Sequence, residues 1–277
     1  MSKYKMVLCD MDGTLLKDDK SISPASQEAI RQLNDQNILF VPATGRSVFA
    51  LPLEIQALPF LRYAILINGA LVYDVKEGLA LRRADISPER ACEVFGEMSR
   101  YPVTRDVYMN DTEAWMDKEF MDSLDTWILT KTSLDLIGRT RQPVEDLTGF
   151  IRRRGMPVQK IQGFFREETV RIEATAALRR RFPDMSISGA VPLNIELTDR
   201  NADKGACLSF LMEYLGIAPE EVIAFGDEDN DCSMLKIAGT GVAMRNASEK
   251  ARACADRICE SNEEDGFAKS VSRWVLT

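Results

Sequence analysis

The sequence predicts an α/β fold in which a doubly wound, mainly parallel core sheet is interrupted by an inserted α+β domain. Three observations support this prediction. Short apolar runs recur along the chain and end abruptly in polar or glycine residues, as buried parallel strands do. Helix signals separate these runs, and a long middle stretch lacks the same alternation. With 277 residues, of which 45% are hydrophobic, the chain can bury a substantial core in one or two domains.

The first part of the core is predicted as strand, helix and strand, followed by a hairpin. Apolar runs predict strands at 6–9, 38–41 and 64–67. Ser23-Pro24 is typical of a helix start, because serine caps free backbone amides and proline suits the first turn. Asn68-Gly69 indicates a two-residue hairpin turn after the third strand.

The middle of the chain mixes helix and strand signals. Helices are predicted to begin at Ser87-Pro88-Glu89 and at Pro143-Val144-Glu145 and to span residues 166–182. Residues 157–165 are strand-like. This change of pattern predicts a separate inserted domain over residues 85–188.

The α/β alternation then resumes. Residues 193–197 and 222–225 are predicted strands, and residues 203–215 a helix that ends at a glycine. The predicted core therefore consists of residues 1–84 together with residues 189–277.

Composition excludes several classes of function. With 35 basic and 43 acidic residues the net charge is −8, which disfavours nucleic-acid and anionic-membrane binding. The absence of histidine excludes serine–histidine triads and histidine-based zinc sites. No apolar run approaches the roughly 18 residues of a membrane span, and the six cysteines include no CxxC pair. We therefore expect a soluble, cytoplasmic protein with reduced thiols; the residues give no indication of its oligomeric state.

Polar side chains that suit phosphoryl transfer follow several predicted elements. This reaction requires positioning and neutralisation of oxygen charge, hence carboxylates with a metal ion together with fixed donors. The candidates in chain order are Asp10, Asp12, Thr44, Lys204, Asp227 and Asp231. Taken singly, each also fits an ordinary structural role in a turn or on the surface.

The acidic loop at residues 226–231 raises one specific alternative, a calcium-binding EF-hand. That loop would require glycine at its sixth position and glutamate at its twelfth. Cys232 and Ala238 stand there, so the spacing excludes an EF-hand.

Taken in order, these residues resemble the four motifs of the haloacid dehalogenase superfamily. The DxDGT motif is at residues 10–14, the threonine at Thr44, the lysine at Lys204 and the GDxxND motif at residues 226–231. The resemblance implies a Rossmann-like core. The insertion looks like the C2 cap of the Cof-type branch, subfamily IIB, whose members are mostly phosphatases of small metabolites.

The resemblance also implies a role for each matching residue. Asp10 would be the nucleophile that forms an aspartyl-phosphate, and Asp12 the acid and then the base. The implied ligands of Mg²⁺ are Asp10, Asp12 through its backbone carbonyl, Asp227 and, through the metal's water shell, Asp231. The residues implied to bind phosphate or substrate are Thr44, Gly45, Arg46, Lys204 and Asn230.

We therefore predict a magnesium-dependent phosphatase that hydrolyses a small phosphorylated metabolite, such as a sugar phosphate or a phosphorylated cofactor. One alternative is a sugar phosphomutase of the same branch. A non-catalytic phospholigand sensor is another, although such a protein would usually have lost Asp10 or Asp12. Arg139, Arg141 and residues 152–154 would either meet an anionic substrate or form a solvated helix face, which is the commoner reason for such runs.

Overall fold

A computed structural model describes residues 2–127, 130–189 and 193–276. Fourteen strands lie in the described residues: β1 Met6–Cys9, β2 Leu39–Pro42, β3 Tyr63–Leu66, β4 Leu71–Asp74, β5 Leu79–Arg83, β6 Asp106–Met109, β7 Glu113–Asp117, β8 Gln142–Val144, β9 Val158–Phe164, β10 Met185–Ser188, β11 Asn194–Asp199, β12 Val222–Gly226, β13 Thr240–Ala243 and β14 Arg257–Ile258.

Eleven α-helices lie in the same residues: α1 Pro24–Asp35, α2 Leu53–Gln56, α3 Pro88–Met98, α4 Lys118–Met121, α5 Lys131–Thr140, α6 Leu147–Arg154, α7 Glu168–Arg181, α8 Lys204–Leu215, α9 Cys232–Ile237, α10 Glu249–Cys254 and α11 Gly266–Trp274. Short 3₁₀ turns occupy Val48–Ala50, Ile67–Gly69, Leu124–Thr126, Pro219–Glu221, Asp229–Asp231 and Asn262–Glu264. Within the described part of the chain, no helix has the length and apolar character needed to cross a bilayer.

The chain divides into two compact units. The core unit comprises Met1–Arg82 and Asp203–Thr277, and the inserted unit comprises Arg83–Ala202. Each unit has its own sheet and its own buried side chains.

The core unit is built on five parallel strands in the order β14-β13-β12-β1-β2. The neighbouring strands β12, β1 and β2 end in register with one another. Asp10, Thr44 and Asp227 follow these three strands, so they emerge at one edge of the sheet. That edge is where ligands bind in open α/β sheets.

The sheet is extended by β3, which meets the end of β2 in a parallel bridge between Ala43 and Ile65. β3 and β4 then form an antiparallel hairpin, as predicted. The pairing of Leu66 with Leu71 leaves a loop of residues 67–70, so the predicted two-residue turn was wrong in length.

Helix α1 begins where the sequence predicts. The Ser23 hydroxyl accepts a hydrogen bond from the Ser26 amide at 3.1 Å, and Pro24 is the first helical residue. Ala29, Ile30 and Leu33 are buried, as expected of an apolar stripe on a core-facing helix.

The inserted unit is built on six strands in the order β10-β11-β9-β6-β7-β8. All neighbours pair antiparallel except β7 and β8, which are parallel. The strand predicted at 193–197 was assigned to the core, and this assignment was wrong. As β11 it pairs with β9 and β10, because a run with buried side chains on both faces does not reveal which sheet it joins.

The helix predicted from Pro143 also begins elsewhere. Pro143 lies in β8, at the edge of the six-stranded sheet. Proline has no backbone N–H, and an edge strand tolerates this because one of its sides has no neighbouring strand. The helix start is at Leu147, because the Asp146 side chain caps α6 by accepting from the Gly149 amide at 2.9 Å.

Candidate active site

Asp10 lies directly beyond β1 and is paired with a buried lysine. Its amide donates to the Phe225 carbonyl of the neighbouring strand β12 at 2.9 Å. Lys204, the first residue of α8, donates from Nζ to Asp10 Oδ1 at 2.6 Å. The lysine is only 1% exposed, so it is not the surface residue that a helix first turn usually carries.

The acidic loop after β12 is closed by Asp231. Its Oδ2 accepts from the amides of Asp227 and Glu228 at 2.9 and 3.0 Å, while its Oδ1 accepts from Lys204 Nζ at 2.6 Å. Gly226 permits this packing, because a Cβ there would lie 2.6 Å from the Asp231 Cβ. One buried carboxylate thus fixes both the loop and the lysine.

Asp227 is held by the last residues of the first motif. The Thr14 hydroxyl donates to Asp227 Oδ1 at 2.6 Å. Gly13 adopts φ +84°, and a Cβ on it would lie 2.2 Å from Asp227 Oδ2. Glycine and threonine in the DxDGT motif therefore place a carboxylate that lies more than two hundred residues later in the sequence.

Three aspartates converge in this part of the core unit. Asp10, Asp227 and Asp231 each offer a carboxylate oxygen, and these three atoms lie within 4.8 Å of one another. Burial raises the pKa of Asp10 well above its ordinary value even though Lys204 opposes the rise, and burial raises the pKa of Asp227 to about 7. Lys204 brings one positive charge to three carboxylates. A divalent cation fits this set, because it would supply the missing charge and prefers hard oxygen ligands.

Asp12 forms ion pairs with Arg46 and Lys20, whereas Lys204 bonds to Asp10 and Asp231. Arg46 donates from Nε to Asp12 Oδ2 at 2.8 Å and from Nη2 to Oδ1 at 2.7 Å, and Lys20 Nζ lies 3.0 Å from Oδ1. Burial opposes ionisation, but Arg46 and Lys20 prevail and lower the pKa of Asp12 to about 2. Asp12 is therefore ionised at neutral pH.

Thr44 and Gly45 form the loop that follows β2. The buried Thr44 hydroxyl accepts from the Arg46 amide at 3.2 Å. A Cβ on Gly45 would lie 2.6 Å from Asn68 Oδ1, so the loop lies directly against the hairpin. Asn230, which we expected to orient Lys204 or substrate, is exposed and donates to Asn68 Oδ1 at 3.3 Å. The substrate-binding roles of Thr44, Gly45, Arg46 and Asn230 stay predictions.

The hairpin loop at 67–70 joins two parts of the site. The amides of Ile67 and Asn68 donate to the carbonyls of Arg46 and Thr44 at 3.1 and 3.0 Å. These bonds require a wider loop than a two-residue turn, and Ile67, Asn68 and Gly69 all adopt positive φ. Gly69 lies against Asp203, the residue that caps α8 just before Lys204.

Four residues of this arrangement were missed by the sequence analysis: Thr14, Lys20, Asn68 and Asn246, whose Nδ2 donates to the Gly13 carbonyl at 2.8 Å. Thr14 stands inside the motif, so the motif itself was a signal for it. Asn68 was interpreted only as a turn residue. Lys20 and Asn246 lie in loops with no local pattern, and only the tertiary structure brings them to Asp12 and Gly13.

A family model described as haloacid dehalogenase-like hydrolase matches residues 7–271. The chain therefore belongs to the haloacid dehalogenase-like hydrolases. It is 28% identical over 272 residues to the 5-amino-6-(5-phospho-D-ribitylamino)uracil phosphatase YcsE of Bacillus subtilis (strain 168), covering 98% of this chain and 96% of that relative.

Solved structures of the superfamily share the fold. A haloacid dehalogenase-like hydrolase from Bacteroides thetaiotaomicron superposes with a TM-score of 0.85 at 28% identity, covering 98% of this chain and 99% of the other. The sugar phosphatase BT4131, described as subclass IIB of the superfamily, has a TM-score of 0.79 at 21% identity and covers 99% and 100% of the two chains, a likeness that shows the fold. The predicted family, α/β fold and enzyme class are thereby confirmed.

Proposed function

We propose that this haloacid dehalogenase-like hydrolase is a magnesium-dependent phosphatase of a small phosphorylated metabolite and acts through an aspartyl-phosphate on Asp10. One observation carries the proposal. The carboxylate oxygens of Asp10, Asp227 and Asp231 lie within 4.8 Å of one another beside the Lys204 ammonium, at the ligand-binding edge of a parallel sheet.

In the first step a carboxylate oxygen of Asp10 attacks the phosphorus atom, and the bond from phosphorus to the leaving oxygen breaks. Asp12 gives a proton to that oxygen, so the product leaves as an alcohol. Because Arg46 and Lys20 hold the pKa of Asp12 near 2, Asp12 must leave this ion pair before it can carry the proton. The Lys204 ammonium offsets negative charge on the phosphoryl oxygens, and Thr44 offers them a hydroxyl donor.

In the second step a water molecule attacks the phosphorus of the aspartyl-phosphate. Asp12, now ionised, accepts the proton of that water, and the bond between phosphorus and Asp10 breaks. Inorganic phosphate is released and Asp10 is regenerated. Asp12 thus serves as the acid of the first step and as the base of the second.

The residues that would hold Mg²⁺ are Asp10, Asp227, the Asp12 backbone carbonyl and, through water, Asp231. When bound, the ion would neutralise charge on the transferring phosphoryl group. The protein's own contribution is to fix these oxygens, through the Thr14 hydroxyl on Asp227 and the backbone amides on Asp231.

The proposal includes a cytoplasmic location. All six cysteines are free thiols in the structure, which suits a reducing compartment. A relative named as a 5-amino-6-(5-phospho-D-ribitylamino)uracil phosphatase supports a small phosphorylated substrate.

The decisive experiment measures phosphate release from a panel of phosphorylated metabolites with Mg²⁺ for the wild type and for Asp10→Asn. We expect a loss of about 10⁴-fold or more, because the substitution removes the nucleophile with almost no change of shape. Asp35→Asn, an exposed aspartate at the end of α1, is the control and should retain full activity. Unchanged release by Asp10→Asn would refute the mechanism.

Acid quenching distinguishes the intermediate from direct hydrolysis. With p-nitrophenyl phosphate, whose leaving group needs no acid, Asp12→Ala should accumulate a chain that carries one extra phosphoryl group, located on Asp10 by peptide mass spectrometry, because the base of the second step is missing. Substrate isomerised faster than phosphate is released would favour the phosphomutase. Ligand binding without turnover across the panel would favour the sensor.

A further inference from the structure

Lys20 lies outside the four motifs but reaches the carboxylate of the first one. Its Nζ lies 3.0 Å from Asp12 Oδ1, and 39% of the lysine side chain is exposed. Arg46 binds both oxygens of the same carboxylate, through Nε to Oδ2 and through Nη2 to Oδ1. Two cations therefore share one carboxylate, and these three side chains together carry one net positive charge.

The backbone of Lys20 adopts a conformation that disfavours any side chain. Its φ is +69°, in the left-handed region where a Cβ comes too close to the following carbonyl oxygen and which glycine enters freely. Glycine would therefore suit this turn better, yet the chain has a lysine whose ammonium reaches Asp12. Unfavourable backbone conformations of this kind concentrate at functional sites, where the surrounding structure maintains them.

The turn that carries Lys20 is closed by its own hydrogen bonds. We name residues 17–21 the Lys20 loop. The amides of Lys17 and Lys20 donate to the carbonyls of Ser21 and Lys17 at 3.0 and 2.9 Å. Asp19 Oδ1 accepts from the amide and the hydroxyl of Ser21 at 2.9 and 2.6 Å. The loop thus has a defined conformation although most of its side chains are exposed.

The C-terminal part of the core unit also holds the Lys20 loop. The Asp18 amide donates to Glu263 Oε1 at 2.7 Å. Asn262, which is only 6% exposed, donates from Nδ2 to the Leu16 carbonyl at 3.0 Å and to Asp18 Oδ1 at 3.1 Å. The loop is therefore held from outside as well as from within, and its conformation keeps the Lys20 ammonium at Asp12.

The charges of the candidate site indicate what this cation can do. A phosphate monoester carries close to two negative charges at neutral pH. When all are ionised, the three clustered aspartates and Lys204 carry two net negative charges, which one divalent cation would just neutralise. That set then has no net positive charge for a phosphoryl group, whereas the ion-paired group of Asp12, Arg46 and Lys20 has one.

We propose that Lys20 supplies positive charge that attracts the phosphoryl group of the substrate, a task that it shares with Arg46. This inference rests on the proposed phosphatase function. In that mechanism Asp12 turns to the leaving oxygen, so its carboxylate no longer neutralises the two cations. Their charge is then available to the phosphoryl oxygens. An anion can approach them, because the Asp12 side chain is 40% exposed.

The test measures kcat/KM for p-nitrophenyl phosphate with Mg²⁺ in the full chain. Lys20→Met removes the charge and keeps an unbranched side chain. We expect kcat/KM to fall about tenfold at low ionic strength, since one unit charge a few ångströms from a dianion in a partly exposed site has an effect of this size. Lys20→Arg keeps the charge and should stay within about threefold of the wild type.

Lys17→Met is the matched control, because it removes a positive charge from the same loop. The ion pairs of Asp12 are with Lys20 and Arg46, so Lys17→Met should retain full activity. A loss in Lys17→Met equal to that in Lys20→Met would show that only the overall charge of the loop matters, and it would overturn the inference.

Two further measurements distinguish a role of charge from a structural role. Salt screens exposed charges, so the loss in Lys20→Met should shrink to less than about threefold in roughly 0.5 M NaCl. Orthovanadate is an analogue of the transferring phosphoryl group, and its binding requires no turnover. Its Kd should rise about tenfold in Lys20→Met, because the same charge attracts the same kind of anion.

Lys20→Gly tests stability and activity in opposite directions. Glycine adopts φ +69° without a steric penalty, so the Tm of this variant should be no lower than that of the wild type. Its kcat/KM should nevertheless fall as in Lys20→Met. A lower Tm together with a loss of kcat/KM that salt does not change would show a structural role and would overturn the inference.

The remaining outcomes separate this inference from the proposed function. If Lys20→Met kept the wild-type kcat/KM, or if Lys20→Arg were as impaired as Lys20→Met, Lys20 would have no such role. If the wild type itself released no phosphate, the proposed function would fail instead. The orthovanadate Kd would still decide whether Lys20 contributes to anion binding.

Discussion

Asp12 shows how single residues control charge in the candidate site. Its two carboxylate oxygens are bound by Arg46, and Lys20 adds a second cation. This environment favours the ionised form, which is the form required of a base. The proposed acid role needs the opposite form, so we expect the cations beside Asp12 to control when a proton can be transferred.

The pKa of Asp12 gives a prediction for Arg46→Ala in metal-free protein. Removing the guanidinium should move the pKa from about 2 toward the ordinary value near 3.9 of aspartate. A ¹³C NMR titration of the carboxyl groups checks this. In the wild type Asp12 should stay ionised down to about pH 3, whereas in Arg46→Ala it should titrate between about pH 5 and pH 3.

The sign for stability follows from the same shift. A pKa that is lower in the folded state stabilises the fold above the unfolded value near 4, and this stabilisation disappears as the pH falls toward 2. Arg46→Ala should therefore lose this part of the acid dependence of unfolding. Arg31→Ala, which removes an exposed pair with Glu28 on α1, is the control and should leave the Asp12 titration unchanged. If the midpoint of the Asp12 titration were the same in Arg46→Ala as in the wild type, Arg46 could not be the cause of the low pKa of Asp12.

Among the secondary-structure elements, the hairpin loop at 67–70 has the most direct effect on the site. It binds the loop after β2 through two backbone amides and lies against the residue that caps α8. Lys204 follows that cap residue directly. The position of the buried lysine therefore depends on the conformation of a turn that carries no catalytic group.

We expect Gly69→Ala to be far more damaging than Gly78→Ala. Both glycines have positive φ, which costs about 1–2 kcal/mol for alanine. At Gly78 the nearest atom to a new Cβ is 3.9 Å away, so stability should fall by only that amount and activity should be retained. At Gly69 the Cβ would lie 2.4 Å from the Asp203 backbone, which adds about 1–3 kcal/mol of overpacking.

Urea unfolding and phosphate release together check this pair. Gly69→Ala should also lose at least about tenfold in kcat, since displacement of Asp203 moves Lys204 away from Asp10. Equal effects of the two substitutions on stability and on kcat would show that the hairpin has no such role.

The elements also show what a linear pattern can and cannot predict. The starts of α1, α3 and α8 were predictable because serine or aspartate caps and first-turn prolines act locally. The sheet to which β11 belongs was not predictable, because strand pairing depends on partners far along the chain. The length of the 67–70 loop depended on amides that bind the loop after β2, which is likewise a tertiary contact.

At the scale of the whole molecule, the core unit gathers its site from four distant segments. They are residues 10–14, 44–46, 203–204 and 226–231. The three aspartates in these segments repel one another, and among the described residues Lys204 is the cation that bonds to two of them. A divalent cation would link the segments, so its binding should be visible in the stability of the fold.

Magnesium should therefore raise the free energy of unfolding of the wild type. Asp227→Asn should change the order of stability of variant and wild type between metal-free and Mg²⁺-containing solution. At about 100 times its Kd, Mg²⁺ adds roughly 2.7 kcal/mol to the free energy of unfolding. In metal-free solution Asp227→Asn should be at least as stable as the wild type, because burial disfavours the Asp227 carboxylate and raises its pKa to about 7. With Mg²⁺ the variant should be the less stable protein.

Thermal unfolding with EDTA and with Mg²⁺ checks this inversion. Asp229→Asn is the control in the same loop, since Asp229 is exposed and binds Ser248 and Lys250 instead of joining the three aspartates. It should respond to Mg²⁺ as the wild type does. If Mg²⁺ stabilised Asp227→Asn as much as it stabilises the wild type, the cation would have to bind elsewhere.

The motif residues of the candidate site were predictable from the sequence, but the residues that surround them were not. Asp10, Lys204, Asp227 and Asp231 lie together because strands that end in register bring their following residues to one edge. The buried ion pair of Lys160 and Glu196 was not predictable, because these residues stand in β9 and β11, whose pairing the sequence does not reveal. Charged residues in strands are ordinarily interpreted as solvent-exposed, whereas Lys160 and Glu196 are buried.

The register of β1 with β12 has a consequence for how the protein is made. β1 is translated before β12, so the Thr14 hydroxyl must wait for Asp227, a partner 213 positions later in the sequence. The inserted unit is translated entirely within that interval and has its own sheet and core, so it can fold first. A nascent or prematurely terminated chain that stops before β12 lacks two of the three clustered aspartates. Activity is therefore postponed until β12 and the acidic loop after it have been translated.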